Sequence, residues 1–117
     1  MKRFLAVGLG GMIGTLLRVW IYAAVPSGSG IWAVNLAGSF LIGLAAVKLA
    51  EKSAETRLLV STGLLGSFTT FSSFSGDWFH YLNNSLMLGL AFALFMTAGS
   101  IAAAAFGLWL GRKGEAI

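Results

Sequence analysis

The stretch GLLGSFTTFSSFSGD, residues Gly63–Asp77, departs from the apolar sequence around it. It places hydroxyl side chains among apolar ones: Ser67, Thr69, Thr70, Ser72, Ser73 and Ser75. A hydroxyl without a hydrogen-bond partner is costly in hydrocarbon, so these side chains are expected to face protein or water. Gly63 and Gly66 precede them, and glycine weakens a helix interior by about 1 kcal/mol relative to alanine. The stretch therefore predicts a helix that breaks near Gly66 and continues with a mixed hydroxyl and aromatic face.

The composition around this stretch is that of a membrane protein. Of the 117 residues, 57% are hydrophobic and only 10% are charged, and the mean hydropathy is +0.85. Soluble domains carry roughly 25% charged residues. Four apolar stretches approach the ~20 residues that a helix needs to cross a bilayer. They predict one all-α integral membrane domain, residues 1–117, with four spans at about 4–25, 31–49, 58–78 and 86–110, the first two joined by a short turn at Pro26–Gly30.

The basic residues mark the ends of these spans. Both termini and the second loop carry Lys2, Arg3, Lys48, Lys52, Arg57, Arg112 and Lys113, whereas the first and third loops carry no Lys or Arg. The positive-inside rule then predicts a multi-pass protein of the cell membrane with both termini in the cytoplasm. The net charge of +4 does not indicate nucleic acid as a partner, because the basic residues sit at membrane edges rather than in a stripe.

The first span contains a glycine pattern and one charged residue. Gly10 and Gly14 form a GxxxG pattern, which permits close helix approach. Arg18 is the only charge well inside any span, and at mid-membrane it costs at least ~2.5–3.5 kcal/mol. Two interpretations of Arg18 stay open. The side chain either snorkels to the near interface, or it is a buried cation that shapes an anion's electric field or anchors another helix.

The polar and aromatic residues of the other spans also admit two interpretations. Asn35 is the strongest polar feature of the second span, and a membrane asparagine either holds two helices together or donates its NH2 to an anion. Phe71 and Phe74 are three residues apart and share a helix face. Periodicity alone favours core packing for these two rings.

Three motifs together resemble the Fluc (CrcB) family of fluoride channels. These motifs are GTLLR at Gly14–Arg18, WAVNLAGSF at Trp32–Phe40 and the stretch Gly63–Asp77. The resemblance covers nearly the whole chain. It implies an antiparallel dimer with two anion pathways, a third helix broken near its middle, and a central sodium ion held by backbone carbonyls.

The resemblance also assigns roles to individual residues. It implies that the anion pathway uses Phe71, Phe74, Asn35, Ser73, Thr70 and Ser100. Arg18 corresponds to the arginine of the first helix and would be a supporting charge. The sodium-binding carbonyls would belong to Gly66 and Thr69, and Asp77 stands where an acidic residue often ends the motif.

The residue types suit fluoride, which is small and holds its water tightly. A pore must replace that water with donors, and amide NH2 groups and hydroxyls qualify. The positive edge of a phenyl ring can also face an anion. Conduction needs binding weak enough for release, which disfavours a ring of Arg or Lys. Carbonyl oxygens suit a hard cation such as sodium.

The chain departs from the family pattern in two positions and in its charge. Ile31 stands where a threonine is usual, and a loose alignment of the fourth helix puts Met96 where a tyrosine is usual. The strong charge bias is unexpected for a chain that must insert both ways. We therefore leave two dimers open: a homodimer, and a heterodimer with an oppositely oriented homologue in which one pathway is degenerate.

Other functions fit the sequence less well. A small multidrug-type exporter needs a membrane carboxylate that can be protonated, but the spans hold no Glu and Asp77 lies at an edge. A structural subunit of a membrane complex would explain the glycines but not the hydroxyl and phenylalanine stretch. An enzyme is not expected, because the sequence displays no nucleophile–base pair or metal-ligand cluster. The sequence favours a channel that exports fluoride passively and lowers its toxicity in the cytoplasm.

Overall fold

The computed structural model of the chain describes residues 1–26 and 29–116, with only the backbone described at 115 and 116. Its helices are α1 (Lys2–Ala24), α2 (Gly30–Lys48), α3 (Ala54–Arg57), α4 (Gly66–Phe68), α5 (Phe71–Asn84) and α6 (Leu86–Ala116). A π-helical segment, Leu58–Leu65, joins α3 to α4 and is called the π segment below. The predicted turn at Pro26–Gly30 includes residues 27 and 28, which lie outside the described residues.

Within the described residues, three helices are long and apolar enough to cross a membrane: Lys2–Ala24, Gly30–Lys48 and Leu86–Gly114. Their outer faces carry large exposed apolar side chains such as Leu16, Leu94 and Phe95. A face of this kind is stable against lipid and not against water. The predicted all-helical membrane fold is therefore confirmed.

The third predicted span is not one helix. α4 ends at Phe68, Thr69 and Thr70 are extended with ψ angles of 157° and 120°, and α5 begins at Phe71. Gly66 itself is helical, with φ −62° and ψ −34°. The predicted break in the third span is therefore confirmed. It lies at Thr69 and Thr70, three residues beyond Gly66, because the interruption is stabilised at the two threonines.

Glycines set how closely α1 and the π segment pack. A Cβ at Gly10 would overlap the Leu59 carbonyl oxygen, and a Cβ at Gly14 would overlap that of Leu64. A Cβ at Gly63 would lie 2.6 Å from the Val7 carbonyl oxygen. The GxxxG pattern of the first span therefore serves close packing, with Gly63 as its counterpart on the third span.

A second pair of glycines joins α2 to α6. A Cβ at Gly43 would overlap the Ala104 carbonyl oxygen, and one at Gly107 would overlap that of Phe40. Leu36 lies beside Gly99, Phe40 beside Gly107 and Val47 beside Gly111. These contacts advance together along both helices, so α2 and α6 run in the same direction. The bundle thus consists of two close helix pairs, and α5 packs on α6 nearer the first and third loops.

Candidate functional site

The break in the third span is held by a side chain of α2. The Thr70 amide donates to Asn35 Oδ1 at 2.8 Å, and Asn35 Nδ2 donates to the Thr70 carbonyl oxygen at 3.1 Å. Both residues are buried, with Asn35 8% exposed. An unpaired buried backbone group costs about 1–3 kcal/mol, so Asn35 stabilises an extended residue that hydrocarbon alone would not tolerate. One of the two Nδ2 hydrogens remains available for another acceptor.

Thr70 also begins the second half of the broken helix. Its Oγ1 accepts from the Ser73 amide at 3.1 Å, which makes Thr70 the N-cap of α5. Ser72 Oγ lies 3.3 Å from the same oxygen. A threonine cap contributes about 1 kcal/mol to a helix. The hydroxyl of Thr70 is therefore used to start α5.

Beside the break lies a cavity of about 330 Å³, which we call the chamber. It is lined by Asn35, Ser39, Thr69, Thr70, Phe71, Phe74, Met96, Thr97 and Ser100. α2, α6 and both sides of the break contribute to it. None of these lining side chains carries a charge. The chamber is thus a concave site of amide, hydroxyl and phenyl groups within the membrane-spanning part of the bundle.

Most of the residues predicted for the anion pathway meet in this chamber: Asn35, Thr70, Phe71, Phe74 and Ser100. Two lining residues, Ser39 and Thr97, were not among them. A signal for both was present, since Ser39 lies one turn beyond Asn35 and Thr97 lies three residues before Ser100. Residues at these spacings share a helix face.

Phe71 and Phe74 face the chamber in different environments. Their ring centroids are 5.8 Å apart with an interplanar angle of 30°. Phe74 is also stacked on Phe92 at 5.4 Å, which fixes its ring from the side of α6. Phe71 is 79% exposed in the single chain. The Phe74 ring is therefore held within the bundle, and the Phe71 ring projects from it.

A second cavity, of about 510 Å³, lies at the end of the bundle near the first and third loops. We call it the vestibule. It is lined by Tyr22, Pro26, Gly30, Ile31, Ser73, Asp77, His80 and Tyr81. Ser73 lines this cavity and not the chamber, because its side chain leaves α5 on a different face from those of Phe71 and Phe74. The carboxylate of Asp77 also lies here, outside the uncharged chamber.

Arg18 is half-buried on α1. It lines neither the chamber nor the vestibule. Its guanidinium is therefore not brought together with Asn35, Phe71 or Phe74 within a single chain. Any effect of Arg18 on an anion in the chamber would act through the electric field, not through contact.

The backbone at the break leaves a carbonyl group without its helical partner. In a continuous α-helix the Thr70 amide would donate to the Gly66 carbonyl oxygen, but here it donates to Asn35. Gly66 is exposed in the single chain. The next acceptor at the break, the Thr69 carbonyl, belongs to an extended residue whose hydroxyl donates to Leu65. Backbone carbonyls of this kind are available to a hard cation.

The two departures from the family pattern lie in one cluster. Ile31, Phe92 and Met96 form a buried apolar cluster, against which Trp32, Phe74 and Tyr81 pack. Ile31 lines the vestibule and Met96 lines the chamber. Two positions that are far apart in sequence therefore change the same part of the bundle.

Residues 5–112 match the family model described as CrcB-like protein, Camphor Resistance (CrcB). The chain belongs to the CrcB family. It is 40% identical to a protein of Allorhizobium ampelinum named fluoride-specific ion channel FluC, over 96% of this chain and 98% of that relative. A relative of the same name from Agrobacterium fabrum is 44% identical over 92% of this chain and 94% of its own length. One from Thermotoga petrophila is 35% identical over 93% and 94%.

CrcB membership and three membrane-length helices establish a multi-pass membrane protein. Of the residues to which the resemblance assigns roles, the chamber is lined by Asn35, Thr69, Thr70, Phe71, Phe74 and Ser100, whereas Arg18, Gly66, Ser73 and Asp77 do not line it. The matched range takes in α2 to α5 and most of α1 and α6. The chamber and nearly the whole bundle thus lie within the residues that match the family model.

Proposed function

We propose that this chain is a subunit of a fluoride-selective channel that lets fluoride leave the cytoplasm passively. The observation that carries the proposal is the uncharged chamber, in which the Asn35 amide, several hydroxyls and two phenyl rings meet beside a helix break. Three curated CrcB relatives that are named fluoride-specific ion channels support it. A channel of this family performs transport and not enzymatic catalysis.

The chamber offers fluoride a replacement for part of its hydration shell. The free Nδ2 hydrogen of Asn35 and the hydroxyls of Ser39, Thr97 and Ser100 are hydrogen-bond donors. The edges of Phe71 and Phe74 carry partial positive charge. Because no formal positive charge lines the chamber, a bound anion is not held too tightly to leave. Larger and less strongly hydrated anions such as chloride gain less from these short-range donors.

We propose that two chains form the functional unit and that they are antiparallel. Phe71 projects from the bundle and Gly66 is exposed beside an interrupted helix. Broken backbone at membrane depth must be covered by protein or line a cavity. A second chain over this face would cover both and close the chamber toward lipid. The partner is either an identical chain or an oppositely oriented homologue, and the charge bias of the loops favours the homologue.

We further propose that a sodium ion lies at the centre of this dimer. The Gly66 and Thr69 carbonyls would hold it from each chain, since the Gly66 carbonyl lacks its helical donor and hard cations prefer oxygen ligands. Such an ion supplies positive field near the chamber without occupying the anion's path. Arg18 would add a smaller and more distant contribution to the same field.

Fluoride efflux from liposomes that contain only this purified chain tests the proposed function. We expect fluoride to leave quickly while chloride, measured in parallel, is retained. Equal loss of both ions would contradict selectivity. If fluoride is retained, the same measurement is repeated with a co-expressed homologue of opposite charge bias. Retention in both preparations would overturn the proposal.

A further inference from the structure

We infer that Ile31, Phe92 and Met96 form an apolar barrier that separates the chamber from the vestibule and limits the passage of fluoride between them. The inference rests on the proposed function and adds the residues that set its rate. It is carried by the positions of these side chains relative to the two cavities.

α2 supplies one side of this apolar barrier. Ile31, Asn35 and Ser39 follow one another at intervals of four residues and so share a face of the helix. Asn35 and Ser39 line the chamber, whereas Ile31 lines the vestibule. This face of α2 is therefore polar beside the chamber and becomes apolar at Ile31, beside the vestibule.

The other side of the apolar barrier comes from α6, in which an apolar residue again precedes a polar one by one turn. Met96 precedes Ser100 by one turn, just as Ile31 precedes Asn35. Because α2 and α6 run in the same direction, the two apolar side chains lie at the same end of the two polar faces. They pack together, with exposed fractions of only 3% for Ile31 and 2% for Met96.

The ring of Phe92 lies between a residue of the vestibule and a residue of the chamber and completes the apolar barrier. Its ring lies 4.8 Å from that of Tyr81, which lines the vestibule, and 5.4 Å from that of Phe74, which lines the chamber. Trp32 meets it edge-on at 5.7 Å. The route between the cavities along α2 and α6 thus passes a packed cluster of rings and alkyl groups.

The side chains of Ile31, Phe92 and Met96 offer a crossing anion no hydrogen-bond donor. Transfer of an unpaired ion into an apolar environment is very costly, and apolar constrictions in channels stop conduction by excluding water. The donors resume at Ser73 in the vestibule and at Asn35 in the chamber. The missing donors between them make the barrier the slowest point of this route.

The test is fluoride efflux from liposomes for the double variant Ile31→Thr/Met96→Thr, which places hydroxyls in the barrier. We expect efflux to rise about tenfold over the unmodified chain, a change equivalent to about 1.4 kcal/mol in the barrier. The matched control Ile31→Val/Met96→Leu alters packing but stays apolar, and its efflux should stay at the original rate. Equal rates in the Thr variant and the original chain would overturn the inference, as would an equal rise in the apolar control.

A second measurement does not depend on flux. The chain contains no cysteine, so Ser73→Cys and Ser100→Cys each introduce a single reporter, one in each cavity. A membrane-impermeant thiol reagent is added on the side of the first and third loops, to which the vestibule belongs. We expect Ser73→Cys to react in either background, and Ser100→Cys to react rapidly only when Ile31→Thr/Met96→Thr is also present.

Failure of the proposed channel function and failure of the inferred barrier give different experimental results. An unmodified chain that passes no fluoride, alone or with a partner, counts against the proposed channel, while the labelling still decides whether the barrier separates the cavities. Equally fast labelling of Ser100→Cys in both backgrounds counts against the barrier alone. Thermal unfolding in detergent checks that each variant is folded, and the single variant Ile31→Thr replaces the double one if the double one is not.

Discussion

Asn35 pairs with both backbone groups of Thr70: its Oδ1 accepts from the Thr70 amide at 2.8 Å and its Nδ2 donates to the Thr70 carbonyl at 3.1 Å. The two residues are 35 positions apart in sequence. The shape of the third span is thus set by a side chain of the second. The same side chain lines the chamber, so the fold and the proposed pathway depend on one amide.

The first prediction concerns this pairing. Asn35→Ala should lower the free energy of unfolding by about 2–6 kcal/mol, because it leaves two buried backbone groups of Thr70 unpaired at about 1–3 kcal/mol each. Thermal unfolding in detergent measures the change. Ser39→Ala is the control, since Ser39 lines the same chamber one turn away. A loss of stability as large for Ser39→Ala would show that any change in the chamber has this effect.

The second prediction concerns the crossing of α2 and α6. Gly107→Ala should destabilise the bundle by about 1–3 kcal/mol, because the added Cβ would overlap the Phe40 carbonyl oxygen and force the helices apart. Gly76→Ala is the control, because nothing lies within 4 Å of its added Cβ. There alanine should be neutral or stabilising by up to about 1 kcal/mol. Denaturation curves with similar midpoints for both variants would argue against a tight crossing.

The third prediction separates the two phenylalanines. Phe71→Ile and Phe74→Ile should both reduce fluoride efflux sharply if the rings line the path. Phe74→Ile should also lower the stability of the single chain, by about 1–3 kcal/mol, since the Phe74 ring stacks on Phe92, whereas Phe71 is exposed and should contribute less.

Phe95→Ile is the control for this pair, because Phe95 is exposed and is not among the residues that line the chamber. Its efflux should equal that of the unmodified chain. Unchanged efflux in both Phe71→Ile and Phe74→Ile would make these rings packing residues.

The fourth prediction concerns sodium. Replacing sodium by a large organic cation should lower both the stability of the dimer and the rate of fluoride efflux. A ligand that binds only the folded state stabilises it by about 1.4 kcal/mol for each tenfold rise above its dissociation constant. Thr69→Ser should retain this dependence, because the proposed ligand is a backbone carbonyl. A melting temperature that is independent of sodium concentration would rule the ion out as a structural component.

The fifth prediction concerns orientation. A reporter fused to the C-terminus of this chain, expressed without a homologue, should be found on the cytoplasmic side only. Seven basic residues lie on one side of the membrane and none in the first and third loops. Equal amounts of both orientations would exclude the heterodimer hypothesis and leave the homodimer.

Much of the candidate site could be predicted from local sequence. Hydroxyls and phenylalanines in an apolar stretch indicated a mixed hydroxyl and aromatic face, and the family resemblance added Asn35 and Ser100 to it. The structure brings Asn35, Thr70, Phe71, Phe74 and Ser100 together in the chamber. Ser39 and Thr97 lie at helical spacing from residues that were chosen, so the same reasoning extended by one turn would have included them. Ser73 was chosen because it stands next to the phenylalanines in sequence, but adjacent residues of a helix lie on different faces, and Ser73 lines the vestibule.

The position of the break was beyond local reasoning. Glycine propensity favoured Gly66, yet the penalty of a glycine in a helix is only about 1 kcal/mol. The pairing of Thr70 with Asn35 and the N-cap of α5 outweigh it. Both interactions depend on the position of another helix or on the exact turn at which a new helix starts.

By itself, the sequence determined that the protein is an all-helical membrane protein, because transfer of apolar residues into lipid depends on composition and length. It also indicated that the third span is interrupted. The tertiary structure decided which residue fills the break, which cavity each hydroxyl faces, and that Ile31 and Met96 meet between the cavities. These outcomes follow from the register of α2 against α6, which is set by close contact at glycines and by side-chain packing between residues remote in sequence.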